Sequence, residues 1–289
     1  MVVLVRNGEA SPPWLTKQQL LNDYRGAYTT ARTVGRKAIF ELSMHCERLL
    51  DTAIAVLRPR PGEVEEKALV FLEGGTKALR PELVRECLVA LTYLEALEAH
   101  EAQDSEMDYQ VATLACQCCS HVTRSGSTRP TGASMSSHCA EAMVKVAAHP
   151  AERRSPTIKD VQWVQDRQHL EQIQKEAGVN EVIMSDSDGC ITEGLHTNFF
   201  VALADGSLSP QTASKKRVLA GTVRKVVLDV ASEQGLVVRF ECPSLAEAKL
   251  WESCFICSTS RLVKPVCELT MPEGTRRTNS TGEQWFLVP

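Results

Sequence analysis

The stretch EVIMSDSDGCITEGLHTNFF, residues 181–200, predicts a β-hairpin that carries one candidate catalytic carboxylate. An apolar run is followed by the turn-forming residues 186–189, a polar segment and a second apolar run. Glu193 lies in the polar segment, and carboxylates are seldom buried unless a partner needs their charge. Taken alone, these residues favour an ordinary solvated turn, so the rest of the chain has to decide between the two interpretations.

The composition of the 289-residue chain is that of a soluble protein, with 43% hydrophobic and 24% charged residues. This length allows one large domain or two smaller ones, with a core large enough to bear a cleft. A net charge of -4 gives no electrostatic reason to expect binding to nucleic acid or to an anionic membrane. The apolar runs are too short for a transmembrane helix, and we expect no secretory signal.

The chain has 11 cysteines, and a cluster of them raises the question of a zinc site. Residues 116–119 hold three cysteines, with His121 close by and a His-Cys pair at 138–139. The spacing matches no familiar pair of zinc ligands, and the cluster continues a strand-like run at 109–114. We therefore predict small buried thiols in a sheet, no metal, and a reducing compartment such as the cytoplasm or a plastid-like organelle.

Residues 1–120 predict a small N-terminal α+β domain. Its predicted elements are a strand at 27–34, a partner strand at 38–42, a helix from His45 to Leu57, a helix ending at 74–75 and a helix opened by Pro81. Residues 121–142 are rich in Ser, Thr and Gly and predict an interdomain loop.

Residues 143–289 predict a larger second domain with a richer pattern of strands. Its predicted elements are hairpins turning at 186–189 and 204–206, a helix opened by 219–221, a strand at 237–240, a helix at 245–251, a strand at 255–257 and a closing segment at 261–266.

Three further segments contain residues that could bind a ligand or react, but each is a weak signal of function when taken alone. Lys159 has apolar neighbours, and a lysine in an apolar pocket can become a nucleophile that forms an imine, although most lysines are simply solvated. Residues 219–221 open a helix whose N–H groups would attract an anion, as many glycine-initiated helices could. Residues 258–260 offer hydroxyls after a strand, where ligands often bind, or form a polar turn.

The order and spacing of these segments resemble the class IV aminotransferases, which are fold-type IV enzymes that depend on pyridoxal 5'-phosphate (PLP). ITEGLHTNFF is similar to the family's TEG and NxF signature, and LAGTVR and STSRLVKPV follow it in the family's order. HCERLLDTA is similar to the family's H-x-x-R-L segment. Within the family, the long loop and residues 249–255 look most like D-amino acid aminotransferase-like proteins of plants. The resemblance implies a two-domain fold of mixed α+β and α/β character, with the cofactor bound in residues 143–289.

The resemblance also implies a role for each candidate site residue. Lys159 would form the Schiff base with the cofactor aldehyde, and Glu193 would pair with the protonated pyridine nitrogen. Arg48 would hold the phosphate as a bidentate donor. The other cofactor-binding residues would be Thr197, Asn198, Leu219, Gly221, Thr222, Val223 and Thr259. The residues on the substrate side would be Tyr28, Ser260 and Arg261.

The implied activity is amino transfer between an amino acid and a 2-oxo acid, in a homodimer. A lyase of the 4-amino-4-deoxychorismate type would use the same Lys159 and Glu193, so these residues do not separate the two activities. A catalytically impaired protein with this fold is a third alternative. Val223, where the family often has threonine, and the atypical residues 160–163 are its support, whereas the retention of Lys159 and Glu193 argues against it.

Overall fold

A computed structural model describes residues 2–6, 9–11, 19, 21, 26–35, 38–59, 63–99, 109–114, 119–124, 143–203 and 209–278. The chain divides into two compact units. The first unit is residues 1–129 together with 158–166, and the second is residues 130–157 together with 167–289. Both units combine helices with a sheet, as the sequence predicts.

The first unit contains a six-stranded sheet in which all neighbouring strands are antiparallel. In sheet order its strands are β2 (Glu9–Ser11), β1 (Val2–Arg6), β6 (Cys119–Arg124), β5 (Tyr109–Leu114), β3 (Tyr28–Val34) and β4 (Ala38–Ile39). The predicted strand at 27–34 is confirmed as β3. The predicted partner strand at 38–42 is shorter, because a helix begins at Leu42. Most of the cysteine and histidine cluster that was considered as a zinc site lies outside the described residues, because these omit 115–118 and 138–139.

Three helices of the first unit are α1 (Leu42–Leu57), α2 (Glu63–Leu72) and α3 (Gly75–Ala99). The prediction that Pro81 opens a helix is wrong, because Pro81 lies inside α3. Proline removes one helical hydrogen bond, but Leu79 and Leu83 on either side of it are buried, and such packing can outweigh the loss.

Residues 158–166 end in the short helix α4 (Gln162–Asp166) and group with the first unit, whereas the sequence prediction assigned them to the second domain. Backbone hydrogen bonds explain the grouping. The Tyr28 N–H donates to the Lys159 carbonyl at 3.1 Å, and the Val161 N–H donates to the Gly26 carbonyl at 3.0 Å. The segment thus lies beside the start of β3 and pairs with the chain there through an isolated β-bridge between Ala27 and Asp160.

The second unit contains an eight-stranded sheet that closes on itself. In sheet order its strands are β11 (Pro210–Gln211), β10 (Asn198–Leu203), β12 (Trp251–Ser258), β13 (Leu262–Thr270), β7 (Val144–Pro150), β8 (Glu181–Ser185) and β9 (Ile191–Gly194), with β14 (Arg276–Thr278) beside β13. The closing pair is β9 and β10, in which Glu193 lies opposite Asn198. The pairs β13–β7 and β7–β8 are parallel, and the connection from β7 to β8 includes α5 (Gln168–Glu176).

The hairpin predicted for residues 181–200 is confirmed, since β8 and β9 are antiparallel. Its turn is held by Asp186, whose Oδ1 accepts the N–H groups of Asp188 at 3.0 Å and Cys190 at 2.9 Å. Gly189 has φ +73°, a left-handed conformation that glycine adopts without a steric penalty. The second predicted hairpin is also confirmed as β10–β11, while its turn at 204–208 lies outside the described residues.

Two predictions in the second unit need correction. Residues 237–240 do not form a strand, and only Arg239 makes an isolated bridge, to Gln211. Val237 is 72% exposed and Phe240 is 53% exposed, so their apolar character does not report a buried strand. The predicted helix at 245–251 is a 3-10 helix, Leu245–Leu250, and the helix opened by 219–221 is confirmed as α6 (Thr222–Glu233).

The core of the second unit lies against the central strands of the closed sheet. Its members share near-complete burial and include Val146, Ile183, Ile191, Phe199, Val201, Ile256 and Val266. On β10 and β12 the rings of Phe200 and Phe255 also stack, with centroids 4.8 Å apart. No helix in the described ranges is both long and apolar enough to cross a membrane.

Replacing Ile256 with alanine should lower the free energy of unfolding by about 2–5 kcal/mol. Ile256 is fully buried on β12 between β10 and β13, so the change leaves a cavity that its neighbours fill only in part. Urea denaturation monitored by circular dichroism measures the loss. The matched control is Val237→Ala at an exposed site, and a similar loss for both variants would contradict the core assignment.

Candidate active site

The first unit brings Arg48 together with two side chains that sequence reasoning did not assign to the site. His45 and Arg48 are three residues apart on α1 and therefore lie on one face of the helix. The Arg48 Nη2 donates to Thr29 Oγ1 on β3 at 2.9 Å, and it lies 3.1 Å from His45 Nδ1. The Thr29 Oγ1 in turn lies 2.7 Å from His45 Nδ1. Helix and strand thus meet in a polar cluster.

Lys159 is positioned through its backbone by the same two elements. Its N–H donates to Thr52 Oγ1 on α1 at 3.0 Å, and its carbonyl accepts from Tyr28 on β3. The Lys159 Nζ lies 4.7 Å from the centroid of the Tyr28 ring, and Tyr28 is buried. The ring face attracts an ammonium group and orients it. The first unit therefore brings together three of the predicted site residues, namely Tyr28, Arg48 and Lys159.

His45 is electrically neutral in this cluster. Burial above all, together with the positive charges of Arg48 and Lys159, lowers its pKa to about 3. The His45 ring is 1% exposed, and within the described chain its Nε2 has no hydrogen-bond partner. An uncharged His45 adds no repulsion to the two cations beside it.

The second unit centres on the Glu193 carboxylate, which is buried on β9. The Glu193 Oε2 accepts the Leu219 N–H at 3.0 Å, and Oε1 lies 3.4 Å from Arg153 Nη1. The Arg153 side chain is only 6% exposed, so this is a buried ion pair. Sequence reasoning found Glu193 but missed Arg153. The only signal for Arg153 is its place in a basic run shortly before Lys159, and such a run is usually solvated.

Asn198 connects this carboxylate to the start of α6. Its Nδ2 donates to the Leu219 carbonyl at 2.8 Å, on the same residue whose N–H reaches Glu193. A Cβ added at Gly221 would collide with the Asn198 amide oxygen, so only glycine fits against this side chain. Leu219 thus contributes to the site through its backbone.

The N-terminus of α6 presents backbone donors and a pair of hydroxyls. Gly221 is the N-cap in an extended conformation, and no side chain of the described residues caps the helix. The first N–H groups of a helix have no intrahelical acceptor, and they attract anions. The Thr222 Oγ1 lies 2.8 Å from the Thr259 Oγ1, and both residues are buried. Val223 is also buried, and its hydrophobic side chain supplies no further hydroxyl.

The other predicted residues of the second unit have different partners. The Thr197 carbonyl accepts the Gly194 N–H at 2.8 Å, and Gly194 lacks the Cβ that would collide with the Thr197 hydroxyl. Ser260 is exposed, with its Oγ 3.3 Å from Ser258 Oγ. Arg261 Nη1 donates to the Asn180 carbonyl at 2.8 Å and lies 3.3 Å from the buried Glu181 carboxylate. A substrate carboxylate at Arg261 stays a prediction.

His196 lies in the turn between Glu193 and Asn198 and bridges two carboxylates. Its Nε2 is 3.3 Å from Glu171 on α5, and its Nδ1 is 3.5 Å from Glu181 at the start of β8. Burial would lower the pKa of His196, but its contacts with these two carboxylates outweigh that effect and raise it. The contact with His196, with help from Arg167, lowers the pKa of Glu171 to about 2.

The chain belongs to the class IV aminotransferase family, because the family model "Amino-transferase class IV" matches residues 26–269. A Methanocaldococcus jannaschii relative named "Putative branched-chain-amino-acid aminotransferase" is 29% identical over 127 residues. Those residues are 44% of this chain and 43% of the relative, so the match spans less than half of that protein.

Solved structures share the fold across nearly the whole chain. A hypothetical aminotransferase from Mycobacterium tuberculosis in its PLP-bound form has a TM-score of 0.65 at 14% identity, covering 96% of this chain and 94% of that one. A "Putative 4-amino-4-deoxychorismate lyase" from Legionella pneumophila has a TM-score of 0.57 at 11% identity, covering 89% and 88%. The predicted family and its mixed helix-and-sheet fold are confirmed, while closeness to the plant members stays a prediction.

Replacing His196 with glutamine should lower the stability of the protein in a pH-dependent way. Because the folded-state pKa of His196 is raised above its ordinary value, the stabilisation is fully present below about pH 6.5 and is lost as the pH rises through the folded pKa. The Glu171 carboxylate, with its pKa of about 2, stays charged across this range. Urea unfolding of the wild type and the variant at a series of pH values measures the difference.

The control for this experiment is His169→Gln, which removes an exposed histidine from the same helix, α5, that carries Glu171. Its effect on the unfolding free energy should stay small at every pH. A destabilisation by His196→Gln that is constant from acid to alkaline pH would contradict a charged His196 between the two carboxylates.

Proposed function

We propose that the protein is a PLP-dependent aminotransferase that moves an amino group between an amino acid and a 2-oxo acid through a Schiff base on Lys159. The buried Glu193 carboxylate carries the proposal, together with membership of the class IV family. Burying a carboxylate is costly, and cationic partners offset that cost; Arg153 is one such partner of Glu193. A protonated pyridine ring would be a second cationic partner for the same carboxylate.

The residues of the second unit fit this cofactor at two points. Glu193 would accept the pyridine N–H, with Leu219 and Arg153 holding the carboxylate in place. The N-terminus of α6 and the paired hydroxyls of Thr222 and Thr259 would receive the phosphate, since N–H groups and hydroxyls at a helix start suit that anion.

Residues of the first unit would bind the phosphate and the aldehyde of the cofactor. Arg48 would hold the phosphate with its planar guanidinium group. Lys159 would bind the cofactor aldehyde through its amine and, once released by the substrate, would move the proton at the substrate α-carbon. When bound, PLP supplies an electron sink for the negative charge that this proton leaves behind. The Tyr28 ring would orient the Lys159 amine and line the substrate side.

The substrates are proposed only as classes, an amino acid donor and a 2-oxo acid acceptor. The name of the M. jannaschii relative favours a branched-chain amino acid among the first donors to test. The lyase alternative shares Lys159 and Glu193 with the aminotransferase, so the acceptor separates the two activities. A homodimer also stays a prediction.

Purified protein reconstituted with PLP should absorb visible light in the violet through the cofactor bound to Lys159. An amino acid donor should bleach this band, and a 2-oxo acid should restore it with formation of a new amino acid. Borohydride should fix the cofactor to the peptide that contains Lys159, as mass spectrometry would detect. Lys159→Ala should abolish this adduct. A colourless wild type that takes up no PLP would contradict the proposal, and pyruvate release from 4-amino-4-deoxychorismate without an acceptor would favour the lyase.

Glu193→Gln should leave the borohydride adduct intact and lower the rate of amino transfer by about 10²–10³-fold, as removal of one stabilising group in other active sites does. The neutral amide keeps the size of the side chain but no longer balances a cation on the ring. Single-turnover bleaching of the visible band measures the rate. The control is Glu268→Gln, which removes a carboxylate of β13 that pairs with Lys145. Normal turnover by Glu193→Gln would contradict the role of Glu193.

A further inference from the structure

The contacts of Arg48 form a directed chain of hydrogen bonds in the first unit. A guanidinium group only donates, so the 2.9 Å contact makes Thr29 Oγ1 an acceptor from Arg48. The Thr29 hydroxyl proton is then available for His45 Nδ1, at 2.7 Å. The order of donation is therefore Arg48 to Thr29 to His45, and it ends on a ring nitrogen that accepts.

The protonation state of His45 agrees with this order. The depressed pKa keeps the ring neutral, and an accepting Nδ1 places the single ring proton on Nε2. Both acceptors around Arg48 Nη2, the Thr29 hydroxyl and the His45 ring, are then uncharged. They hold this nitrogen in place and add no negative charge of their own, whereas a carboxylate in either place would compete with an anionic ligand.

We propose that Thr29 and His45 are positioning residues that orient Arg48 toward the phosphate of the cofactor; this inference rests on the proposed function. An arginine side chain has many rotamers, and holding it in its bound orientation beforehand reduces the entropy lost on binding. Thr29 is 2% exposed and His45 is 1% exposed, so bulk water does not replace either contact. Affinity for the phosphate group should therefore depend on two residues that do not touch it.

The test compares PLP with pyridoxal, which has the same ring and aldehyde but no phosphate. Apo protein of the wild type and of Thr29→Val would be titrated with each compound, and Kd would be measured from the visible absorbance. Valine keeps the shape of threonine and removes the hydroxyl. We expect Thr29→Val to weaken PLP binding by about tenfold, the size expected for a lost hydrogen bond to a charged group, with pyridoxal binding changed by less than about twofold.

Conservative variants provide the rescue and the control. Thr29→Ser keeps the hydroxyl and should retain the wild-type ratio of the two Kd values. His45→Asn keeps an acceptor near the position of Nδ1 and should weaken PLP binding less than His45→Leu does. Thr30→Val changes the next residue of β3, whose side chain points to the other face of the strand, and should leave both Kd values unchanged.

Thermal unfolding of each apo variant identifies those that are folded before titration, and the His45 variants serve if Thr29→Val is unfolded. An equal loss of affinity for PLP and pyridoxal would indicate a merely structural role and overturn the inference, as would unchanged PLP binding by Thr29→Val. A wild type that binds neither compound would overturn the proposed function itself, and the inference with it. Wild-type binding with an unchanged ratio in every variant would overturn the inference alone.

Discussion

A carboxylate that is hidden from water must be satisfied by the protein around it, and much of the second unit depends on doing this for Glu193. Three chain segments that are far apart in sequence meet there. They are the segment after β7 that carries Arg153, the closing strand pair β9–β10, and the connection that carries Leu219. Removing any one of these contacts would leave a buried charge poorly compensated. The pairing of β9 with β10, which closes the sheet, therefore has to keep Glu193 within reach of its partners.

The first unit solves the opposite electrostatic problem. Arg48 is partly buried, and its Nη2 contacts two neutral acceptors, Thr29 Oγ1 and His45 Nδ1. A carboxylate in the place of either acceptor would compete with an anionic ligand for this guanidinium nitrogen. The two units thus treat charge differently. One surrounds a carboxylate with donors, and the other holds a guanidinium nitrogen against two uncharged acceptors.

Sequence patterns predicted those elements whose signals are local. The hairpin of 181–200 was predictable because Asp186 and Gly189 have well-defined turn chemistry. The strand assigned to 237–240 was wrong because apolar residues also occur on surfaces, and only tertiary structure shows that Val237 is exposed. Arg153 and Thr29 were missed for a related reason. Their importance lies in contacts with Glu193 and Arg48, which are 40 and 19 residues away in sequence, and a single sequence does not reveal such pairs.

The sequence spacing between Glu193 and the glycine that begins α6 nevertheless helped to predict the site, and the structure explains why. Glu193 lies opposite Asn198, Asn198 holds the Leu219 carbonyl, and the Leu219 N–H returns to Glu193. Gly221, two residues after Leu219, packs against the Asn198 amide, so this closed set of contacts also includes the start of α6. The separation between the carboxylate and the helix N-terminus is therefore fixed by one strand pair and a short connection. A glycine-initiated helix or a lone glutamate is a weak signal by itself, but here Asn198 links the two and thereby fixes their spacing along the chain.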